Sequence, residues 1–568
     1  MHEHKVPGGA PDAHHDGGPV TPTGTESSAL RPAGSGSTAT GQRPAGKGNR
    51  AALIGAAAAA LILAGAGAVV AGGSLLPVPE STRPVPATAA AVPAGTSLGV
   101  CPGPARLLEG TEAGTDPQFS PVSATAASAV TGAVLGAAGV LPASRLAQLD
   151  GTAAVEIAKE SGQSPAPAGP PQEPVAGVLA SRPVDQVTIL SADALSNQQA
   201  SSAGAMKFTA SDGDLQGTAT SNCQQPSNDQ WLAGASTTVG RTSVLILANA
   251  SSTPATVSLE LFGGGGQIQA PGSRGLLVAP GTSRSIVLAG LAPGEEQLSV
   301  HVRSAGGPVA AVIQQSVLRG LTPGGVDFIA PGAAPAVRQV MAGVDIQDPA
   351  GLAQLTGKPG YEDAGPALHL TVPGPSDAVV EVKLYGSDGQ KALPSGGVVT
   401  AKAGAVTEVS LAGVPAGQYT VAALSDVSFV AAARVSRGLQ EGQASDVAWA
   451  ASGVRLGSQH VVPVPQGGVR HMVFGALDDR ATITYSAITS DGKVRAASTA
   501  DIAGGTTSSI AVPDKVEDAG VVGYVVSASG GAAYGALLVQ QDGRNDVSTL
   551  AFLPEAAGQE TVPVTLSY

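Results

Sequence analysis

Aromatic residues make up only 3% of this chain and charged residues 13%, about half the share usual for a soluble protein. So thin an aromatic supply argues against a large enzyme core built on helices. Cations are scarcer than anions, 30 Lys and Arg against 43 Asp and Glu, and the net charge is −13. A surface that tracks phosphates needs the opposite balance, so nucleic acid is excluded as a partner. Cysteine is nearly absent, with two residues in 568. What the chain does hold is Gly (77), Pro (43) and a hydrophobic fraction of 43%, mostly Ala, Val and Leu. That is too apolar for a solvated disordered polymer, and the length suits three or four domains.

Residues 1–50 carry Gly, Pro, Ser and Thr, no aromatic residue and few aliphatic ones, which reads as a disordered tail. Ala51–Leu76 follows without a charge, long enough as a helix to cross the roughly 30 Å of a bilayer's hydrocarbon. A cleaved signal peptide, cut after small residues such as Val69-Val70-Ala71, is the alternative, but a 50-residue leader is far longer than a normal n-region. Arg43, Lys47 and Arg50 precede the span and only Arg83 closely follows it. The positive-inside rule then keeps the N-terminus cytoplasmic and exports the rest as the ectodomain of a single-pass membrane protein. Both cysteines, Cys101 and Cys223, lie beyond the span, where an oxidising compartment lets a pair persist as a disulfide. Metal ligation or a catalytic thiol are the rival readings, and no His lies near either cysteine in sequence.

Residues 77–97 alternate Pro with small residues and read as a semi-rigid polyproline spacer. Residues 98–240 are expected to form a disulfide-containing N-terminal module, with a hairpin signal around Asp212-Gly213-Asp214. Beyond it, short β-branched runs separated by turn clusters recur three times, over 243–331, 366–450 and 471–554. Val309-Ala310-Ala311, Val430-Ala431-Ala432 and Gly535-Ala536 each precede a polar turn and then an Asp beside a Val: Val326-Asp327, Asp446-Val447 and Asp546-Val547. Strands of this length with turns every 8–12 residues fit small sandwiches. The expected fold class is therefore an all-β ectodomain of tandem immunoglobulin-like β-sandwiches, strung end to end, with one apolar and one polar face per strand.

Cys223-Gln-Gln-Pro-Ser-Asn-Asp-Gln-Trp-Leu-Ala-Gly, running into Gly240-Arg-Thr-Ser and Leu245-Ile-Leu-Ala-Asn249, resembles the envelope proteins grouped as domain of unknown function 5719. The resemblance extends through Val278-Ala-Pro-Gly281, Leu291-Ala-Pro-Gly294 and Val309-Ala-Ala, over residues 97–568, with Ala250 where the pattern would have Pro. It implies a single-span or secreted protein of an actinobacterial envelope and carries no activity with it.

A search for chemistry finds turns. Ser490-Asp491-Gly492-Lys493 matches Ser-x-x-Lys, but Asp-Gly marks a hairpin rather than a helix start. Gly263–Gly266 precedes more strand, with no helix N-terminus to hold an anion. His2, His4, His14 and His15 lie in the tail, while His301, His369, His460 and His471 are scattered without Asp or Cys at ligand spacing. The acidic pairs Asp212/Asp214, Glu295/Glu296, Asp345/Asp348 and Asp478/Asp479 offer no full calcium ligand set. Trp231 and Trp449 read as core or domain-junction packing rather than sugar platforms. No catalytic residue, metal or cofactor is expected. The functional expectation is a membrane-anchored structural or binding protein of the cell envelope, its partner an envelope protein or glycan. The alternative is an accessory subunit or divergent enzyme of envelope glycan assembly, using paired carboxylates.

Overall fold

A computed structural model describes residues 88–91, 94–111, 120–137, 139–159, 174–195, 198–555 and 561–564. The chain divides into two units, Met1–Pro86 and Ala87–Tyr568. The segments expected to form a tail, a membrane span at Ala51–Leu76 and most of a spacer lie outside the described residues, all of which belong to the second unit. Among the described residues no helix is long and apolar enough to cross a membrane. They form an all-β structure with a short helix, Pro349–Thr356, whose first turn is closed by Gly351 N–H donating to Asp348 Oδ2 at 2.7 Å.

Four sandwiches repeat one topology. In the first, eight strands follow in order: Ser97–Cys101, Ala127–Leu135, Ser144–Gln148, Val155–Ala158, Ala176–Pro183, Thr188–Ala192, Ser202–Ala210 and Gly217–Asn222. One sheet runs in the order first, sixth, third, fourth; the other runs fifth, second, seventh, eighth. The same two orders recur in sandwiches opening at Asp229–Ala235, Ala336–Ile346 and His460–Pro463 and closing at Thr322–Ile329, Asp446–Ala451 and Val547–Ala551. In the third sandwich the sixth and seventh strands are one run, Gly417–Arg437, which crosses from sheet to sheet.

This order differs from the immunoglobulin arrangement, where the first strand lies beside the second and the seventh beside the sixth. Here the first lies beside the sixth and the seventh beside the second. The difference leaves the eighth strand on an open sheet edge. The opening strands at Asp229, Ala336 and His460 precede the repeat boundaries read from sequence, because each pairs with a sixth strand roughly sixty to ninety residues on and nothing local marks it.

Each sandwich encloses its own aliphatic core. In the second, Leu232, Val257 and Val300 of one sheet meet Leu245, Leu247 and Ile313 of the other. Burying each such side chain contributes about 1.5–3 kcal/mol. Thr256, Ser258 and Glu260 give Ala255–Gly263 the polar outward face expected, but faces that meet another sandwich are apolar. Along Arg241–Asn249, Leu245 and Leu247 point into the core, yet Ile246 and Ala248 on the other face are covered too, by apolar residues of the first sandwich.

The covering is systematic. Val100 and Ile189 of the first sandwich pack on Ala248 and Ala310 of the second. Trp231 and Phe262 of the second pack on Val406 and Val430 of the third. Tyr385 and Ala422 of the third meet Leu477 and Tyr534 of the fourth. Val461 and Ile488 of the fourth return to Ala133 and Ala203 of the first. The sandwiches therefore close into a ring rather than a string. Alanine on the facing surfaces lets sheets approach closely, which is why so few aromatics suffice.

Candidate functional site

Closure brings the four eighth strands together. They touch side by side but are not paired into one sheet. An edge strand presents unpaired N–H groups that must find partners when buried. One side chain supplies most of them. Asp446 Oδ2 accepts from Thr218 N–H at 2.9 Å and Val547 N–H at 3.0 Å, and Oδ1 accepts from Val326 N–H and its own Val447 N–H, both at 3.0 Å. These donors come one from each sandwich. Gly217 (φ +148°) and Gly325 (φ +113°) flank the carboxylate, and a Cβ at either would strike it, so only glycine fits.

A second network crosses the same centre. Asp327 Oδ2 accepts from Trp449 N–H at 2.7 Å, and Asp327 Oδ1 accepts from the Ser548 hydroxyl at 3.3 Å. Ser548 Oγ in turn accepts from Thr220 N–H at 2.9 Å. Asp546 accepts from Thr218 Oγ1 at 3.0 Å and pairs with Arg544, which also donates to Ala210 C=O. Complete burial pushes the Asp327 carboxyl up to about 7, against the pull of its N–H donors. Burial, with Asp546 nearby, pushes Asp446 well above the usual range, while its backbone donors pull downward. Asp546 is raised by burial, opposed by Arg544. Lys207, donating to Gln466 and Gly467 carbonyls at 3.0 and 2.8 Å, is lowered to about 8 by desolvation. Asp446 and Asp327 act as edge caps, taking backbone N–H groups of the eighth strands, while Asp546 takes the side chains of Thr218 and Arg544. Among the described residues no group of His, Cys, Asp and Glu is placed to hold a metal ion.

Two cavities adjoin this hub. The larger, about 530 Å³, lies between the second and third sandwiches and is lined by Arg241, Arg319, Asp363, Arg434, Arg437 and Trp449 among others. The smaller, about 310 Å³, is lined by Asn222, Phe328, Ala451 and Ala551, the far ends of all four eighth strands. Trp449 borders both. Its ring sits 4.5 Å from His369 and 5.8 Å from the Arg434 guanidinium, and Gly234 packs so closely that a Cβ there would enter the ring. His369 Nε2 meets Glu408 Oε2 at 2.9 Å, and Arg434 joins the same carboxylate at 3.1 Å. Hydrogen bonds from His369 and the charge of Arg434 hold Glu408 down at about 2 despite desolvation.

The residues singled out in sequence fall elsewhere. Cys101 and Cys223 are bonded to each other, both buried, joining the end of the first strand to the end of the eighth in the first sandwich. Val100 and Gln224 beside them exchange backbone bonds at 2.8 Å. Asp491 Oδ1 accepts from Thr489 Oγ1 at 2.6 Å and closes a hairpin turn, so Ser490 to Lys493 is no nucleophile site. Asp212 caps the 123–125 turn through Ser123 and Thr125, Asp348 caps the helix, and Asp345 pairs with Arg437 at 2.9 Å. Trp231 is buried, stacked 4.0 Å from His301, which contacts Glu260 and Asp229. His2, His4, His14 and His15 lie outside the described residues. The hub acids were visible as the Asp beside Val at each repeat's end, and their meeting was not.

The class this defines is an all-β protein of four sandwiches closed around a buried acidic hub. The chain belongs to the family of unknown function DUF5719, whose pattern matches residues 178–513. No curated protein matches the sequence. A solved "Biofilm associated protein - BSP domain" aligns at 10% identity over 84% of this chain and 99% of its own, with a TM-score of 0.10.

Proposed function

We propose that this chain is an extracytoplasmic structural or binding protein of the cell envelope, non-catalytic and held at the membrane by Ala51–Leu76. The observation that carries the reading is the buried Cys101–Cys223 bond, which belongs in an oxidising compartment. The charge asymmetry around the uncharged run, with Arg43, Lys47 and Arg50 on one side, supports the same orientation. Four sandwiches locked by buried acids make a rigid carrier for loops and cavities, which suits binding or spacing more than a moving catalytic cleft. The test is made on the full chain in intact cells. External protease should digest the sandwiches while the N-terminal tail stays protected, and the protein should remain in carbonate-washed membranes. A chain released by carbonate, or a sandwich region protected from outside, would overturn the reading. Purified protein that turns over envelope glycans would remove the non-catalytic part.

A further inference from the structure

The cavity of about 310 Å³ lies where the four eighth strands end, and every sandwich contributes to its wall. Among the described residues no Asp, Glu, Lys, Arg or His lines it, although three carboxyls are buried further along the same strands. Its polar surface comes from carboxamides. Along Gly217–Asn222 and just beyond, Ala219 and Cys223 point into the core of the first sandwich, so Thr220, Asn222 and Gln224 share the opposite face, towards the hub. Thr220 is engaged there with Ser548, and Asn222 Nδ2 donates to Ala551 C=O at 2.7 Å. That bond fixes the amide's orientation and leaves Asn222 Oδ1 as an acceptor with no donor among the described residues. Gln224 pairs through its backbone with Val100, and its side chain bonds to no described residue. Asn222 and Gln224 are only 5% and 8% exposed, yet their free amide atoms are not sealed off. The second crevice that Gln224 borders measures about 10 Å³, room for one water at most, so the open space at these amides is the larger cavity. Buried carboxamides need partners, and here a bound molecule must supply them.

Pro331, Ala451, Ala551 and Leu553, each half-buried, supply apolar surface beside the amides. A ligand that fits carries no net charge, brings hydroxyl groups able to donate and accept, and has an apolar face. We propose that this cavity binds one neutral hexose, its hydroxyls on Asn222 Oδ1 and the Gln224 carboxamide and a C–H face of its ring on the alanines. The volume lies at the bottom of the range for small-molecule sites, roughly 300–1,000 Å³, which suits one sugar ring rather than a chain. An ionised ligand would lose its water with no countercharge to replace it, and a wholly apolar one would leave both amides unanswered. Because the wall draws on four sandwiches, the site exists only in the closed ring. The inference goes beyond the envelope reading and does not depend on it, since binding is measured wherever the chain resides.

Calorimetric titration of the full-length protein tests it, in a polyoxyethylene detergent so that no glycoside competes. The probes are glucose, galactose and mannose, with glucuronate and cyclohexanol as the comparison arms. At least one hexose should bind saturably, at least tenfold tighter than either comparison, and its affinity should not change as sodium chloride is raised. Gln224→Leu removes an amide that bonds nothing in the protein, so it should leave the thermal midpoint unchanged or higher while weakening the hexose at least tenfold. Ala451→Leu, on another sandwich, fills the cavity and should abolish binding, which gives an independent reading should the first variant fold poorly. No saturable heat with any of the three hexoses overturns the proposal and leaves a water-filled cleft. So does glucuronate or cyclohexanol binding as tightly, or native hexose affinity in either folded variant, which would place the sugar elsewhere.

Discussion

Replacing Asp446 by Asn changes one oxygen to an NH₂ group and leaves shape and volume almost untouched. In the native protein both oxygens accept, Oδ1 from Val326 and Val447 and Oδ2 from Thr218 and Val547. Whichever way the amide turns, its NH₂ faces two backbone N–H groups. Two buried donors lose their acceptor, at about 1–3 kcal/mol each, so Asp446→Asn should destabilise by about 2–6 kcal/mol. An opposing effect exists: the amide is neutral, and a buried carboxylate is expensive to keep charged. If desolvation outweighed donor satisfaction, the substitution would be neutral or stabilising. The donor count decides for destabilisation, since at least one of the two abandoned donors lies in another sandwich. Urea unfolding of the full chain, followed by emission of Trp231 and Trp449, measures the difference. The variant should also lose cooperativity, with sandwiches unfolding separately once the hub is cut. A midpoint equal to or above the native one would refute the account of Asp446 as the shared acceptor.

Asp327→Asn should behave in the opposite sense, because the Ser548 hydroxyl can turn to accept from an amide; unfolding at pH 7.5 should show unchanged or increased stability. With its folded carboxyl raised to about 7 from an ordinary 3.8, Asp327 contributes stability fully present below about pH 4 and lost as pH rises through 7. That amounts to about 4 kcal/mol, in the same direction as Asp446 and Asp546. Urea midpoints should therefore fall between pH 5 and 8, and Asp327→Asn should flatten that slope. Gly217→Ala places a methyl against Asp446 at a φ of +148°, so a loss of about 1–3 kcal/mol is expected, seen as a lower thermal midpoint. Cys223→Ser opens a loop of 122 residues and should remove about 4–5 kcal/mol from the first sandwich in the chain-entropy account. Limited proteolysis should then cut between residues 97 and 222 first, and a cleavage pattern identical to native would count against a stabilising bond.

The strands were legible in the sequence because their signals are local. Alternation along Arg241–Asn249, the Asp-Gly hairpin at 491–492 and the Gly-rich turn at 263–266 depend on neighbours a few residues away. The repeat of an Asp beside a Val could be seen three times for the same reason. Which strand lies beside which could not be read. The first strand of each sandwich pairs with the sixth, and no short-range pattern records a partner so distant. Ring closure was hidden more deeply. Alanine on an outer face, as at Ala133, Ala248 and Ala422, is equally compatible with solvent and with a second sheet at close range. The hub shows the limit most plainly. Asp446, read alone, is an acidic residue at the start of a strand; its role exists only because Thr218, Val326 and Val547 converge on it from three other sandwiches. Composition and local periodicity determined that this chain would be β-sheet built from Ala, Val and Gly, since those depend on each residue's own preference. The ring, the shared acceptor and the arginine-lined cavity were decided by the tertiary structure, because each joins groups from different sandwiches whose energies arise only once they touch.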